Sequence, residues 1–262
     1  MTETHGHDYG ELLVIQHAAH SGPSALAEVL DTRAGRRPWR LVDVSSGAAY
    51  PSLDRVRGAV VLGGAMGVHD VAEHPWLEYE LEILRTASRA GIPLFGICLG
   101  AQLLGMVFAG EVAPRKSPEI AFVPLTRTQA GEKDPVFAGW PDGAAALFMH
   151  DDEVTRLPQG AVEMLEGSEG LAAWRAPDSS SYAVQFHPEV EAAQVAAWCR
   201  REDKQPRFAA AGVDPAVFAT EASRRNRFLR AVGLSLLGRW IDLVVGRDDP
   251  DPQRGRRART LG

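Results

Sequence analysis

Residues 93–105, PLFGICLGAQLLG, decide how this chain is read. An apolar run, PLFGI, leads into a cysteine flanked by Gly96 and Gly100, and LGAQLLG continues with the apolar spacing of a helix. A strand that turns directly into a helix is the repeating unit of an α/β sheet. The cysteine at its tip has two readings: a small buried apolar residue, or a nucleophile presented on a tight elbow.

Working outward, the same alternation recurs. ELLVIQHA (11–18), WRLVDVS (39–45) and RGAVVLGG (57–64) read as strands. SALAEVLDTRAG (24–35) and WLEYELEILRTASRAG (76–91) read as helices, the second with apolar residues at 77, 81 and 84. The pattern predicts an α/β domain with a mainly parallel central sheet. Beyond residue 111 the texture changes to short strands: IAFVPLTRT, ALFMHDDEV, AVEMLEGS, LAAWRAP and SYAVQFHPEV. Residues 191–201 and 207–245 turn helical again. Residues 1–10 read as a flexible lead-in, and the Pro-, Gly- and Arg-rich stretch 247–262 as a disordered tail.

The net charge of −6 gives no footprint for nucleic acid or a membrane surface. The first residues, MTETHGHDYG, lack the basic and apolar regions of a signal peptide, and no apolar run approaches the ~18–20 residues of a bilayer span. Cys98 and Cys199 are the only cysteines and have no metal-ligand spacing, which suits a reducing, cytoplasmic setting.

A cysteine attacks carbonyls as its thiolate, so a reactive one needs a neighbouring base, cation or helix N-terminus. The helix starting at Leu99 aims its free N–H groups at Cys98, and the Leu99 N–H is placed to stabilise an oxyanion. His187 is the best candidate base. His5 and His7 fall in the lead-in, and His17, His20, His69 and His74 at loops or element ends, whereas His187 closes the strand SYAVQF. In extended backbone Glu189 shares its face and can fix its tautomer.

GICLGAQ together with QFHPE resembles the class I glutamine amidotransferases, whose triad is Cys, His and Glu in that order. VVLGGAMGVHD, EHPWLEYE, PEIAFVPL, MHDDEV and FHPEV extend the resemblance over roughly residues 11–245, toward the stand-alone branch related to the glutaminase domain of GMP synthetase. The resemblance implies a single-domain, three-layer α/β/α fold over 11–246, flavodoxin-like, with additional β-strands. It makes Cys98 the nucleophile, His187 the general base and then acid, and Glu189 the orienting carboxylate. It places the oxyanion hole at the N–H groups of Gly64 and Leu99, and gives Gln102, His150, Asp151 and Asp152 as substrate contacts. No metal or organic cofactor is implied.

Two positions depart from the family pattern. Ala65 stands where relatives carry Pro, which is expected to loosen the oxyanion loop, and Asp151 replaces a commoner Gly. The implied reaction hydrolyses a γ-glutamyl amide, either glutamine or a γ-glutamyl conjugate, through a thioester on Cys98. No phosphate loop or appended synthetase half is visible, so a glutaminase would serve a separate synthetase. A γ-glutamyl peptidase would need no partner, and a non-catalytic binding module on the same fold is a third reading. The loop between Arg115 and Gly139 and the segment Cys199–Ala219 are expected to border the mouth of the site.

Overall fold

The computed structural model describes residues 10–34, 38–167 and 170–246. The expected lead-in before Gly10 and the tail 247–262 lie outside the described residues. In chain order the first elements are β1 (Glu11–Gln16), α1 (Ala25–Arg33), β2 (Trp39–Asp43), β3 (Val56–Val61), α2 (Trp76–Arg89), β4 (Leu94–Ile97) and α3 (Leu99–Val107). They are followed by β5 (Glu111–Arg127), α4 (Gln129–Lys133), β6 (Ala144–Arg156), β7 (Val162–Glu166), β8 (Leu171–Arg175) and β9 (Tyr182–Val184). The chain then forms α5 (Ala192–Cys199), α6 (Gln205–Ala211) and α7 (Pro215–Gly246).

The strands form one nine-stranded sheet in the order β2-β1-β3-β4-β9-β8-β7-β5-β6. The run from β2 to β9 is parallel, and every later pairing is antiparallel. Alternation along β1 explains why both faces are covered. Leu12 and Val14 join one core with α1 and α7; Leu13 and Ile15 join the opposite core with α2 and α3. These two layers give the expected three-layer α/β/α arrangement. A third cluster joins Ile120, Leu147 and Met149 of β5 and β6 to Val195, Trp198 and Phe208 of α5 and α6.

Two expectations are corrected. The segment 115–139 is not a loop, because most of it is the long strand β5, paired with β6 from Glu119 to Leu125. The register shifts between Glu111 and Val112, and pairing lapses between Pro114 and Glu119, where Pro118 has no N–H to donate. The helical stretch after 207 is also not continuous. Gly212 adopts φ 66°, closes α6 in the left-handed conformation, and lets α7 start afresh at Pro215.

Because these strands are parallel, the residues after each of them collect at one edge of the sheet. His17 follows β1, Gly63 and Gly64 follow β3, Cys98 follows β4, and His187 lies just beyond β9. The carboxyl edge of an open α/β sheet is where ligand sites form. Among the described residues no helix is long and apolar enough to cross a membrane.

Candidate active site

Cys98 sits between β4 and α3 with φ 53° and ψ −107°, a conformation that costs a non-glycine residue energy and holds its side chain out of the turn. Its N–H donates to Val184 O at 2.9 Å, tying the elbow to β9. The flanking glycines are explained by proximity. A Cβ on Gly96 would strike the carbonyl of Gly100, and one on Gly100 would strike the carbonyl of Val61. The first turn of α3 therefore lies directly on β3 and β4, with Leu99 as its first residue and its N–H outside the helical ladder.

His187 is buried, and its Nδ1 lies 2.8 Å from Glu189 Oε1. Its backbone N–H donates to Leu147 O, and its ring meets Trp198 edge-on with centroids 5.3 Å apart. Burial alone would lower its pKa, but the Glu189 carboxylate and the Cys98 sulfur outweigh it and lift the group to about 10. The second oxygen, Glu189 Oε2, is buried with no hydrogen-bond partner among the described residues.

The Gly63–Gly64 loop packs against this pair. A Cβ on Gly63 would come within 2.9 Å of His187 Cε1, and one on Gly64 within 2.5 Å of Leu99 Cδ2. His17 stands behind the loop, fully buried, with Nδ1 3.3 Å from Gly63 O and Nε2 3.0 Å from Glu80 Oε1. Burial opposes a charge on His17, yet Glu80 and the Gly63 carbonyl more than offset it, and the pKa is raised. An imidazolium donates through both nitrogens. In a trans peptide the N–H lies opposite the C=O, so this contact turns the Gly64 N–H away from His17.

Two cavities meet here. The first, about 240 Å³, is lined by Cys98, Leu99, Gln102, His150, Asp151 and Asp152 among others. All four expected substrate contacts thus face one cleft. Gln102 Nε2 donates to Asp152 O at 2.7 Å, and His150 Nδ1 lies 2.8 Å from the same oxygen. His150 Nε2 is taken by Glu119 at 2.8 Å, which leaves neither ring nitrogen open to a ligand. Burial, then Asp151 and Asp70, raise the Asp152 carboxyl, so the cleft carries an acidic rim. The second is a narrow cavity of about 20 Å³, room for about one water, and includes Ser21, His187, Glu189, Trp198, Lys204 and Arg207.

Arg207 Nη2 reaches Ala65 O at 2.8 Å and Asp151 Oδ2 at 2.6 Å. The two departures from the family pattern are thereby joined: the loop lacking its Pro is tethered through the unexpected Asp. Cys199–Ala219 does border the mouth, through Lys204 and Arg207. His17, Asp70, Trp198, Lys204 and Arg207 escaped sequence reasoning. For His17 a signal existed, its place at the carboxyl end of the first parallel strand.

A family profile described as glutamine amidotransferase class-I matches residues 41–197. The chain belongs to that family. A glutamine-hydrolyzing GMP synthase from Porphyromonas gingivalis is 34% identical over 140 residues, covering 53% of this chain and 26% of the relative. A glutamine-hydrolyzing GMP synthase subunit from Methanocaldococcus jannaschii is 32% identical over 137 residues, covering 52% of this chain and 65% of the relative. The match therefore spans about a quarter of the first relative and less than two thirds of the second. Among solved structures, a glutamine amidotransferase from Thermotoga maritima superposes with TM-score 0.77 at 23% identity, covering 89% of this chain and 99% of its own. A glutamine amido transferase from Methylobacillus flagellatus gives TM-score 0.76 at 24% identity, covering 88% of this chain and 94% of its own. These two likenesses establish the class I glutamine amidotransferase fold for the chain.

Proposed function

We propose that this class I glutamine amidotransferase hydrolyses a γ-glutamyl amide through a thioester on Cys98. The observation that carries the reading is the line of Cys98, His187 and Glu189 at the carboxyl edge of the parallel strands, with His187 Nδ1 2.8 Å from Glu189 and its pKa lifted partly by the Cys98 sulfur. Glu189 holds the Nδ1 proton, so Nε2 serves the reaction.

The Cys98 thiolate adds to the γ-carbonyl carbon, and the oxyanion accepts from the Gly64 and Leu99 N–H groups. When the C–N bond breaks, His187 Nε2–H protonates the departing amine and a γ-glutamyl thioester remains. Water then attacks the thioester carbonyl while His187 takes its proton. Glutamate leaves, and the sulfur regains its starting state. Gln102 and the β6 segment with Asp151 and Asp152 hold the glutamyl moiety, the acidic rim facing its ammonium group. His150 acts by pinning the Asp152 carbonyl.

With glutamine as substrate the amine is ammonia, and a separate synthetase would consume it. Glutamate release from glutamine and from γ-glutamyl amides tests the reading. Cys98→Ala is expected to reduce it more than about a thousandfold, and mass spectrometry should find a glutamyl adduct on Cys98 in quenched wild-type reactions. Turnover that survives Cys98→Ala, or no glutamate from any of these compounds, rejects it.

A further inference from the structure

We propose that His17 and Glu80 are positioning residues of the oxyanion hole: the buried pair holds the Gly63 carbonyl and, through that peptide, aims the Gly64 N–H at the substrate oxygen. This deepens the hydrolytic reading above and rests on it for the identity of the oxyanion.

The protons on His17 follow from its neighbours. Nδ1 faces the Gly63 carbonyl oxygen at 3.3 Å, and a carbonyl only accepts, so Nδ1 carries a proton. Nε2 faces both oxygens of the Glu80 carboxylate, at 3.0 and 3.2 Å, so it carries one as well. The ring is an imidazolium held between a carboxylate and a backbone carbonyl, in keeping with its raised pKa. Trp76 stacks on it, with centroids 5.6 Å apart and planes 14° from parallel, which fixes the direction of Nδ1–H. Both side chains are fully buried. Such a pair adds little net stability, because desolvating two charges offsets most of their attraction. What it does supply is a fixed N–H for the loop after β3.

That loop needs a hold. A Cβ on Gly63 would crowd His187, and one on Gly64 would crowd Leu99, so both positions require glycine. Glycine leaves the peptide between them free to rotate, and Ala65 brings no ring to restrict the next φ. Hydrogen bonds replace that stiffness: His17 takes the Gly63 oxygen, and Arg207 takes the Ala65 oxygen at 2.8 Å. Gly64 lines the cleft with Cys98 and Leu99, whereas His17 is buried behind the loop. With the Gly63 oxygen turned to His17, the trans peptide sends the Gly64 N–H to the opposite side, that of the cleft. A charged donor on the carbonyl also polarises the peptide and strengthens its N–H as a donor.

Two double variants separate positioning from folding. His17→Leu/Glu80→Leu removes the pair without leaving a lone buried charge, so its melting temperature should stay close to that of the wild type. Its kcat with glutamine is expected to fall roughly tenfold to a hundredfold. KM and the rate of Cys98 alkylation by iodoacetamide should change less than about twofold, because neither uses an oxyanion. His17→Asn/Glu80→Leu returns an N–H near the Nδ1 position and should recover most of the lost kcat. Crystal structures should show the Gly63–Gly64 peptide rotated in the apolar variant and restored in the amide variant. Unchanged kcat in the apolar variant, a loss that falls on KM or on alkylation, or an amide variant equally slow overturns the proposal. So does a Gly63–Gly64 peptide that keeps its orientation without the pair, or an apolar variant that fails to fold, which would make the pair a stability element. Absent turnover in the wild type rejects the hydrolytic reading alone, since the peptide orientation in the crystals decides the tether without it.

Discussion

Arg207 on α6 and Ala65 beside the Gly63–Gly64 loop are 142 residues apart in sequence, and the Arg207 guanidinium donates to the Ala65 carbonyl at 2.8 Å. The helical cover after β9 thereby holds the loop after β3. Arg207→Ala should free that loop and lower kcat by roughly tenfold or more, the size of one charged hydrogen bond. Global stability should change by less than about 1 kcal/mol, because Arg207 is partly exposed. Steady-state kinetics beside thermal melts decide it; equal losses in both would show that Arg207 serves the fold rather than the loop.

The His17–Glu80 pair is fully buried, so removing one partner leaves the other uncompensated. Glu80→Gln should cost about 3 kcal/mol or more of unfolding free energy. The pKa of His17 is raised in the folded state, so its contribution is complete below the unfolded value of 6.5 and is lost as pH rises through the folded value. The gap between wild type and Glu80→Gln should therefore narrow as pH is taken from below 6.5 to well above it. Denaturant titrations at both ends measure it, and a gap that stays constant would rule out a charged pair.

His187, held at about 10 chiefly by Glu189 against the effect of burial, should set the basic limb of kcat/KM near that value. Above the limb His187 no longer carries the proton that the leaving amine needs. In Glu189→Gln the limb should move toward lower pH and the maximum rate should fall. Stability follows the same sign: the protonated form stabilises the fold fully below 6.5, and the benefit disappears as pH rises through about 10. A pH–rate profile identical in the two proteins would remove Glu189 from its orienting role.

Gly100→Ala places a methyl group against the Val61 carbonyl. The backbone of α3 cannot move without moving Cys98, so the variant should lose about 3 kcal/mol of stability and most activity. Chemical denaturation with a parallel activity assay tests this. Wild-type stability in Gly100→Ala would show that α3 can lift from the sheet at little cost.

Much of this architecture was legible because strand and helix periods alternate visibly from ELLVIQ to LGAQLLG, and one glycine-flanked cysteine marks the elbow. Cys98, His187 and Glu189 lie just beyond paired strands, where short-range rules reach. Lys204, Arg207 and Trp198 did not announce themselves. They belong to a helical segment whose packing on β5 and β6 depends on contacts remote in sequence. The reading of 115–139 as a loop failed for a related reason. β5 skips its partner between Pro114 and Glu119 and then pairs again, Pro124 included, through to Leu125.

Cys98 and His187 follow the registered pair Ile97 and Val184 on adjoining strands, whereas the cations of the second cavity arrive on α6 and the turn before it. Spacing of the reacting groups is thus inherited from strand pairing, while Lys204 and Arg207 reach the mouth of the site from a separate helical patch. The two can diverge separately: changes within residues 200–211 other than at Arg207 would reshape the mouth of the site and leave the strand register beneath Cys98 and His187 as it is.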